Sequence, residues 1–398
     1  MSPDPRLFPL TFTQLYPNAL QPNFGVFVEN RLRHLTAGSE VVGRVLAPVP
    51  WFPSTHHRFG GYALQARVPR EERRHGIPIA HPRYPMIPKI GMTAQPWLLY
   101  KAMVPHVAAL LRAGTRIDLL DAHYVYPDGV AAALLARRFG LPLVMTARGT
   151  DLNLLPRHAT VRRWIRFAIR EAQAMIGVCA ALADTFVTLG AAADRVHVLR
   201  NGVDLALFQP TDRRTTRNEL GLDGPVLLFV GQLIPRKGVD LIVEAMAMLP
   251  EHTLLIAGSG PERASLERRA RATDTAGRIR FLGEVPHDAL PRLYGAADAL
   301  VLPSEREGWA NVLLESMACG TPVIASDIWG TPEIVTEPAA GQLMRERTAG
   351  SIVEAWHELC AAAVPRAATR AYAEGFGWDP TTRGQIAVFR CAVAMGRG

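Results

Sequence analysis

Short apolar runs alternate with longer amphipathic stretches along the whole chain, and this alternation limits the fold more than any other feature of the sequence. Compact apolar runs favour buried strands, and an apolar residue every three or four positions favours helices. Strands are predicted in the first half at 7–13, 41–48, 117–124, 141–147 and 174–179. Strands are predicted in the second half at 226–231, 253–258, 279–283, 299–304 and 322–326. Repeated strand–helix units of this kind predict two doubly wound α/β domains with parallel sheets.

The pattern restarts near residue 200, where an Asn201-Gly202 turn predicts an interdomain connection. We therefore predict a first domain at 1–200 and a second at 201–379. Residues 50–100 hold many Pro, Arg and His residues and only weak periodicity, so they are predicted to form a long, partly irregular insertion. Helices are predicted at 26–35, 105–113, 129–139, 161–172, 240–248, 264–272, 290–295, 311–318, 350–363 and 381–395.

The composition excludes several other classes of protein. With 398 residues, of which 48% are hydrophobic, the chain has room for two or three domains with sizeable cores. Its four cysteines are too few and too scattered for a disulfide scaffold or a zinc site. No apolar run approaches the ~18 residues that span a bilayer, and the first ten residues lack a signal-peptide pattern. These observations predict a multidomain protein of the cytosol.

Charge is divided unequally between the two halves. Residues 1–200 carry 24 Lys and Arg against 12 Asp and Glu, a net charge of +12, whereas the second half has a net charge of −4. Such asymmetry suggests an anionic partner, namely a phosphorylated substrate, an anionic membrane surface or nucleic acid, although a solvated basic face without a partner is the alternative. The arginine clusters at 67–83 and 157–170 lack the aromatic pattern of nucleic-acid binding, so we expect no nucleic-acid partner.

Two cations follow the first strand of the second half. Arg236 and Lys237 lie in that loop, and Gly238 begins the next helix. Cations beside a helix N-terminus suit a diphosphate, although solvated surface charge would look the same. Gly258 and Gly260 follow the next strand, where glycine either lets the backbone approach a ligand or forms a tight turn.

The segment 302–326 contains two carboxylates eight residues apart. Glu307 lies in a loop after a strand and Glu315 lies within the following helix, and an offset of eight returns to nearly the same helical face. Carboxylates accept pairs of sugar hydroxyls, and Gly308 would free the backbone. The first-turn N–H groups from Asn311 and Val312 to Leu314 would face a phosphate. The alternative is a helix with acidic residues that complement its dipole.

The second half of the chain resembles the nucleotide-sugar domain of a family 4 glycosyltransferase. The resemblance rests on four motifs that occur in the same order, namely the Arg-Lys-Gly loop, the Gly-x-Gly-Pro turn, the Glu-x7-Glu pair and the Cys-Gly-Thr-Pro segment. Residues 16–35 are similar to the N-terminus of the teichuronic acid-type and exosortase-associated branch of that family, and 376–380 resembles its crossing point. The resemblance implies a GT-B fold. In that fold two Rossmann-like domains face a cleft, and the C-terminal helix, here 380–398, crosses back to complete the first domain.

The resemblance also implies roles for individual residues. Arg236 and Lys237 would neutralise the donor diphosphate, Glu315 would bind the ribose, Glu307 would contact the transferred sugar, and Gly25 would bring backbone N–H groups to the phosphates. The family retains the anomeric configuration, with the leaving phosphate oxygen helping to accept the proton of the acceptor. No Asp-x-Asp motif occurs, so we expect no metal and no cofactor besides the nucleotide-diphosphate sugar that serves as donor substrate.

One segment departs from the family pattern. Where the family often has a histidine in the first domain, the segment 146–153 places Arg148, which cannot act as a general base near neutral pH. Our hypothesis is that Arg148 binds a phosphate of the donor or the acceptor. His123, Asp151 and Trp309 are further candidates for acceptor or sugar contacts, although capping or packing would also explain them.

These observations predict a retaining glycosyltransferase that acts on a glycan or a polyprenyl-linked acceptor in cell-surface polysaccharide synthesis. The first domain would bind the acceptor, and its charge would dock it on anionic lipid at the inner face of the cell membrane. Two alternatives are a nucleotide-sugar 2-epimerase and a non-catalytic sugar-nucleotide-binding protein at the membrane surface. The base, the sugar, the acceptor, the linkage and the oligomeric state are left open.

Overall fold

The computed structural model describes residues 4–86 and 91–396, so residues 87–90 of the predicted insertion and 397–398 of the predicted C-terminal segment lie outside the described residues. The strands are β1 (Pro9–Phe12), β2 (Arg44–Leu46), β3 (Val49–Pro50), β4 (Glu71–Arg74), β5 (Ile77–Ala80), β6 (Arg83–Tyr84), β7 (Leu119–His123), β8 (Leu143–Ala147), β9 (Ala174–Gly177), β10 (Val196–Val198), β11 (Val226–Val230), β12 (Thr253–Ala257), β13 (Ile279–Gly283), β14 (Ala299–Leu302), β15 (Val323–Ser326) and β16 (Gly341–Met344). The helices are α1 (Val26–Thr36), α2 (Gly61–Arg67), α3 (Gln95–Arg112), α4 (Val130–Phe139), α5 (Thr150–Asn153), α6 (Ala159–Glu171), α7 (Ala180–Thr188), α8 (Arg213–Leu220), α9 (Val239–Met248), α10 (Arg263–Ala272), α11 (Leu290–Ala296), α12 (Asn311–Ala318), α13 (Ala349–Ala362), α14 (Arg366–Glu374) and α15 (Asp379–Met395).

The chain forms two compact units, the first made of Met1–Arg200 and Asp379–Gly398 and the second of Asn201–Trp378. The sheet of the first unit has the strand order β10-β9-β8-β7-β1-β2-β5-β4, parallel except for the β4–β5 pair. Strands β1, β7, β8 and β9 are buried at every residue, as expected for a parallel sheet covered on both faces. None of the described helices is both long enough and apolar enough to span a bilayer.

The predicted irregular insertion at 50–100 is wrong in part, because two strands of the main sheet lie there. Strand β5 pairs with β2 in parallel, and β4 pairs with β5 at the edge of the sheet. The strand signal is weak because β4 consists of four charged residues, a composition that protects an edge strand from pairing with other chains. Helix α3 also begins at Gln95, well before the predicted start, and it contains Pro105 in its interior.

The second unit has six parallel strands in the order β13-β12-β11-β14-β15-β16. Its first five strands lie where the apolar runs predict them, and α12 matches the predicted helix at 311–318 residue for residue. Strand β16 is missing from the prediction because its sequence, Gly-Gln-Leu-Met, is neither continuously apolar nor regularly alternating. Helices α8 and α14 were also not predicted.

The C-terminal helix α15 belongs to the first unit, as the predicted fold requires. Its Ile386 and Phe389 lie in the hydrophobic core formed with α1 and the sheet. The fully buried Arg31 of α1 donates from Nε to Oε1 of Gln385 at 2.6 Å and from Nη1 to the carbonyl of Leu199 at 3.0 Å. These bonds and the apolar contacts tie the end of the chain to the first unit.

Strand order decides which loops meet in each unit. The carboxyl ends of β8, β7 and β1 lie side by side in the first sheet, and those of β12, β11 and β14 lie side by side in the second. The strand order reverses between β7 and β1, and again between β11 and β14. Ligands of open α/β sheets bind outside the carboxyl ends at such reversal points, so each unit has one preferred site.

Candidate functional site

In the second unit, the loops that follow β11 and β14 are joined by an ion pair. Nζ of Lys237 lies 2.5 Å from Oε1 of Glu307, and both side chains are largely buried. Arg236 lies in the same 3-10 turn as Lys237 and donates from Nη1 to the carbonyl of Arg306 at 3.1 Å. Two cations and one carboxylate therefore converge at the reversal point of this sheet.

The charge of Glu307 follows from these contacts. Burial alone would raise the pKa of its carboxyl, but the charge and hydrogen bond of Lys237, together with the charge of Arg236, outweigh burial and lower it. Glu307 is consequently ionised at neutral pH. An ionised carboxylate in this position accepts hydrogen bonds and stabilises positive charge, and it has no proton to donate.

Glu315 lies on α12 and has hydrogen-bond partners of its own. Its Oε2 accepts from the hydroxyl of Tyr294 at 2.9 Å, and its Oε1 lies 3.1 Å from Nε2 of His287. Burial and the neighbouring Glu315 charge raise the pKa of Tyr294, so this hydroxyl keeps its proton and donates it. Glu307 lies in the loop before α12 and Glu315 lies within that helix, as predicted, and the placement of both carboxylates along one helical face stays a prediction.

The remaining predicted residues of this segment surround the start of α12. Gly308 is buried in the loop, and Asn311 and Val312 form the first turn of the helix. Nε1 of Trp309 donates to the carbonyl of Asn201 at 3.1 Å, and the indole is buried. Trp309 therefore packs against the start of the second unit, which supports the packing alternative, and its contact with a sugar stays a prediction.

Gly258 and Gly260 are explained by the approach of two backbone segments. A Cβ at Gly258 would lie 1.8 Å from the carbonyl oxygen of Gly231, and one at Gly260 would lie 2.3 Å from that of Leu233. Leu233 N–H also donates to the carbonyl of Ser259 at 2.8 Å. These glycines let the loops after β11 and β12 lie against each other, and donor binding by them stays a prediction.

In the first unit, Gly25 is held against the loop that follows β1. Its φ is +72°, and a Cβ there would lie 2.4 Å from the carbonyl carbon of Leu15. Helix α1 begins immediately after Gly25. The guanidinium carbon of Arg148 lies 5.4 Å from the ring centroid of Phe27, in the first turn of that helix. The structure therefore brings Arg148 and the start of α1, two predicted phosphate contacts, close together.

Arg148 is hydrogen-bonded to a buried histidine. Its Nη2 lies 2.6 Å from Nδ1 of His123, and Nε2 of His123 lies 3.0 Å from Oδ2 of Asp121. Burial, which the Asp121 charge offsets only in part, lowers the pKa of His123 to about 4. With both ring nitrogens engaged, the predicted contact of His123 with a sugar would require an exchange of partners, and it stays a prediction.

Asp151 ties the loops after β7 and β8 together. Its carboxylate accepts from the backbone N–H groups of Val125 at 2.8 Å, Gly149 at 2.7 Å and Arg148 at 3.1 Å. Burial outweighs these bonds and raises the pKa of Asp151. The geometry accounts for Asp151 as a capping residue that fixes the backbone of Arg148. Its contact with sugar or acceptor stays a prediction.

A second buried carboxyl lies at the same edge of the first sheet. Asp128 accepts from the backbone N–H of Gln14 at 2.9 Å and from Nε2 of the same residue at 2.5 Å. Burial raises the pKa of Asp128 to about 7, although both bonds oppose the shift. The Tyr84 hydroxyl donates to Oε1 of Gln14 and extends this network to β6.

Sequence reasoning missed three of the residues that complete these sites. Asp121 had a detectable signal, because a carboxylate in the middle of a strand whose other residues are apolar except for His123 must find a partner when the strand is buried. His287 and Tyr294 had none, because they lie 28 and 21 positions from Glu315 in the sequence. Among residues 4–86 and 91–396, no three His, Cys, Asp or Glu side chains are grouped as a metal site.

Comparison with known proteins identifies the family. The model of Glycosyltransferase Family 4 matches residues 57–207, and that of Glycosyl transferases group 1 matches residues 212–375. D-inositol 3-phosphate glycosyltransferase 1 of Catenulispora acidiphila is 33% identical over 319 residues, which make up 73% of this chain and 76% of that protein. The chain belongs to glycosyltransferase family 4. The D-inositol 3-phosphate glycosyltransferase of Mycobacterium tuberculosis strain F11 is 37% identical over 217 residues, 51% of this chain and 45% of that protein.

Solved structures show the fold of this family 4 glycosyltransferase. Sucrose-phosphate synthase from Thermosynechococcus elongatus has a TM-score of 0.79 at 21% identity, over 97% of this chain and 98% of that one. HepE of Anabaena in complex with UDP has a TM-score of 0.72 at 21% identity, over 96% and 98% of the two chains. The predicted GT-B fold with two Rossmann-like units is confirmed, whereas the predicted teichuronic acid-type or exosortase-associated branch stays a prediction.

Proposed function

We propose that this family 4 glycosyltransferase moves a sugar from a nucleotide-diphosphate sugar to an acceptor that carries a phosphate or diphosphate, with retention of the anomeric configuration and without a divalent metal. The observation that carries this proposal is the pair of Lys237 and Glu307 beside Arg236, at the reversal point of the second sheet. It combines cations for a diphosphate with an ionised carboxylate for a sugar.

The two cations would act where negative charge develops. When the bond between the anomeric carbon and the leaving phosphate oxygen breaks, the diphosphate gains charge, and Arg236 and Lys237 would stabilise it without reorganising. The acceptor oxygen would attack the same face of the sugar, and its proton would pass to the leaving phosphate oxygen. Glu307, kept ionised by Lys237, would accept hydrogen bonds from sugar hydroxyls during this step.

Glu315 would bind the ribose of the donor. A carboxylate has about four lone-pair positions, and the Tyr294 and His287 contacts use one on each oxygen. The remaining positions suit the two adjacent hydroxyls of a ribose. Tyr294 and His287 would then hold the carboxylate in one orientation while it binds.

Arg148 supports a phosphorylated acceptor. It is a half-buried cation beside the start of α1, where backbone N–H groups also favour anions. The two relatives are named for D-inositol 3-phosphate, which is a phosphorylated polyol. A polyprenyl-diphosphate-linked glycan carries the same chemical group. Both acceptors therefore fit the proposal, and a glycan without phosphate does not.

Two measurements in sequence test the proposal. Thermal shift with a panel of nucleotide sugars identifies the donor, because a ligand that binds only the native state raises apparent stability. Transfer assays then compare inositol 3-phosphate, a polyprenyl-diphosphate-linked sugar and an unphosphorylated glycan, with the anomeric configuration of the product read by NMR. Transfer to neither phosphorylated acceptor, or an inverted product, contradicts the proposal. An epimerised sugar from donor alone would favour the 2-epimerase.

A basic surface of the first unit supports docking on anionic lipid at the inner face of the cell membrane. Helices α3, α4 and α6 carry eight Lys and Arg against a single acidic residue, Glu171. The eight basic residues, all exposed, are Lys101, Arg112, Arg137, Arg138, Arg162, Arg163, Arg166 and Arg170. Each cation near an anionic surface contributes about 1 kcal/mol, so the four on α6 alone would bind such a surface measurably.

Vesicle co-sedimentation tests this part of the proposal. Replacing the four exposed arginines of α6 by glutamine should weaken binding to vesicles of anionic lipid by more than about tenfold at low salt. The matched control replaces Arg268 and Arg271, which are exposed on α10 of the second unit, and it should bind as the wild type does. If the wild-type protein does not bind anionic vesicles, the proposal that this basic surface docks on anionic lipid is wrong.

A further inference from the structure

Three side chains form a line of hydrogen bonds that runs from the buried Asp121 through His123 to the half-buried guanidinium of Arg148. Oδ2 of Asp121 accepts from Thr11 Oγ1 at 3.2 Å and lies 3.0 Å from Nε2 of His123. The opposite ring nitrogen, Nδ1, lies 2.6 Å from Nη2 of Arg148. Asp121 and His123 are 0% and 1% exposed, whereas Arg148 is only half-buried. The line therefore ends at the residue that replaces the family's histidine.

The chemistry of the three groups assigns the protons. A guanidinium only donates hydrogen bonds, so Nδ1 of His123 must accept from Arg148. The neutral ring then carries its proton at Nε2 and donates it to the Asp121 carboxylate. A doubly protonated ring would place two cations in contact, which the 2.6 Å separation excludes. His123 is thus a neutral link with one defined tautomer.

The guanidinium of Arg148 is held from several sides. The hydrogen bond to His123 fixes one nitrogen, and the ring of Phe27 lies against the guanidinium. Asp151 fixes the backbone N–H of the same residue. The Asp121 charge also offsets the repulsion between Arg148 and the buried Arg31. Ordering a long arginine side chain costs about 2 kcal/mol of free energy through lost rotamer entropy. Because Arg148 is already ordered in the folded protein, most of this cost arises on folding and not when the phosphate binds.

We infer that Asp121 and His123 are positioning residues that hold the Arg148 guanidinium in one orientation for the phosphate of the substrate. This inference rests on the proposed function, because Arg148 must bind a phosphate for its orientation to matter. It also gives a reason for the departure from the family pattern. In this chain His123 provides a hydrogen-bond acceptor for the half-buried guanidinium of Arg148.

A double-mutant cycle tests the role in catalysis. His123→Ala and Arg148→Ala should each lower kcat/KM for the phosphorylated acceptor by about 10- to 100-fold, mainly through KM, because a charge-assisted hydrogen bond is lost or misdirected. The double variant should be no worse than Arg148→Ala alone, since His123 acts through Arg148. His106→Ala, which removes an exposed histidine of α3, serves as the control and should leave kcat/KM unchanged.

Additive losses in this cycle would overturn the inference, because a histidine that only supports the fold would act independently of Arg148. His123→Gln addresses the risk that the alanine variant fails to fold. Glutamine keeps one acceptor for Arg148 and one donor for Asp121, so it should retain more activity than alanine. If the glutamine and alanine variants both fold and lose kcat/KM to the same extent, His123 does not have a positioning role.

A second measurement needs no substrate. In protein labelled with 15N-histidine at pH 7, the His123 signals, assigned by their loss in His123→Gln, should show a protonated Nε2 and an unprotonated Nδ1. The Nδ1 signal should shift in Arg148→Ala. A proton on Nδ1, a charged ring or an unchanged signal would overturn the inference whether or not sugar is transferred. If the wild type transfers sugar to no acceptor, the proposed function fails, and the NMR result alone decides whether His123 holds Arg148.

Discussion

Nζ of Lys237 lies 2.5 Å from Oε1 of Glu307, and this ion pair joins the loops that follow β11 and β14, two strands adjacent in the sheet but separated by about 70 residues in sequence. The contact lowers the pKa of Glu307 even though burial opposes that shift. It also leaves further donors on the ammonium group of Lys237, which has three N–H bonds. One lysine can therefore keep the carboxylate ionised and still reach a diphosphate.

Glu307→Gln should lower kcat by about 100-fold or more, because it removes the charge that would face the transferred sugar in the proposed mechanism while it preserves the shape of the side chain. Donor binding by thermal shift should persist, since the cations remain. The control is Glu305→Gln, an exposed carboxylate of the same loop whose side chain is 54% exposed. Equal kcat values for wild type and Glu307→Gln would remove Glu307 from the catalytic site.

Tyr294→Phe should raise the KM of the nucleotide donor about 3- to 10-fold and leave kcat unchanged, because it removes one hydrogen bond that orients Glu315. This increase in KM should disappear when the ribose of the donor is replaced by deoxyribose. Tyr372→Phe, which removes a comparable bond to the carbonyl of Ile334, should not alter the donor KM. An effect of the same size with the deoxyribose donor would argue against ribose binding by Glu315.

Arg148→Lys should lower kcat/KM for a phosphorylated acceptor by about tenfold or more. Lysine keeps the charge but lacks the planar fork that binds a phosphate through two parallel hydrogen bonds. Arg138→Lys, on the exposed side of α4, is the matched control. Full activity of Arg148→Lys would refute bidentate phosphate binding.

His123 should make the stability of the first unit depend on pH. Its pKa is about 4 in the folded chain and 6.5 is its ordinary value, so the unfolded chain binds more protons between these values and stability falls as the pH is lowered through this window. The loss should be on the order of 3 kcal/mol below pH 4. Asp128, with a raised pKa of about 7, contributes the opposite slope. Denaturant titrations at several pH values therefore measure the free energy of unfolding of wild type and His123→Gln, and the difference between the two isolates the contribution of His123. If the free energy of unfolding had the same pH dependence in both proteins, the prediction would be wrong.

Turnover should persist in EDTA, because in the proposed mechanism Arg236 and Lys237 would supply the positive charge that stabilises the leaving diphosphate. The measurement compares initial rates before and after dialysis against the chelator. Loss of turnover in EDTA that is restored by added metal would reject the metal-independent mechanism.

Local patterns predicted the scaffold of the sites well, since strand and helix periodicity depends on neighbouring residues only. The loops that carry Lys237, Glu307 and Arg148 follow from this scaffold, because carboxyl ends of parallel strands collect at one edge. The sequence also predicted that Glu307 lies in the loop before α12 and that Glu315 lies within that helix, and the structure places both residues there. The edge strand β4 was missed because its charged residues serve to keep that edge unpaired and do not mark a buried strand.

The sequence by itself determined two α/β units, the main apolar strands of each sheet and the residue types at the loops. Only the tertiary structure decided which side chains became partners. Tyr294 and His287 meet Glu315, and His123 meets Arg148, from segments that are more than 20 residues apart. The physical reason is that a buried polar group must find a partner, and the lateral order of the strands, which local periodicity does not encode, determines which partners are within reach.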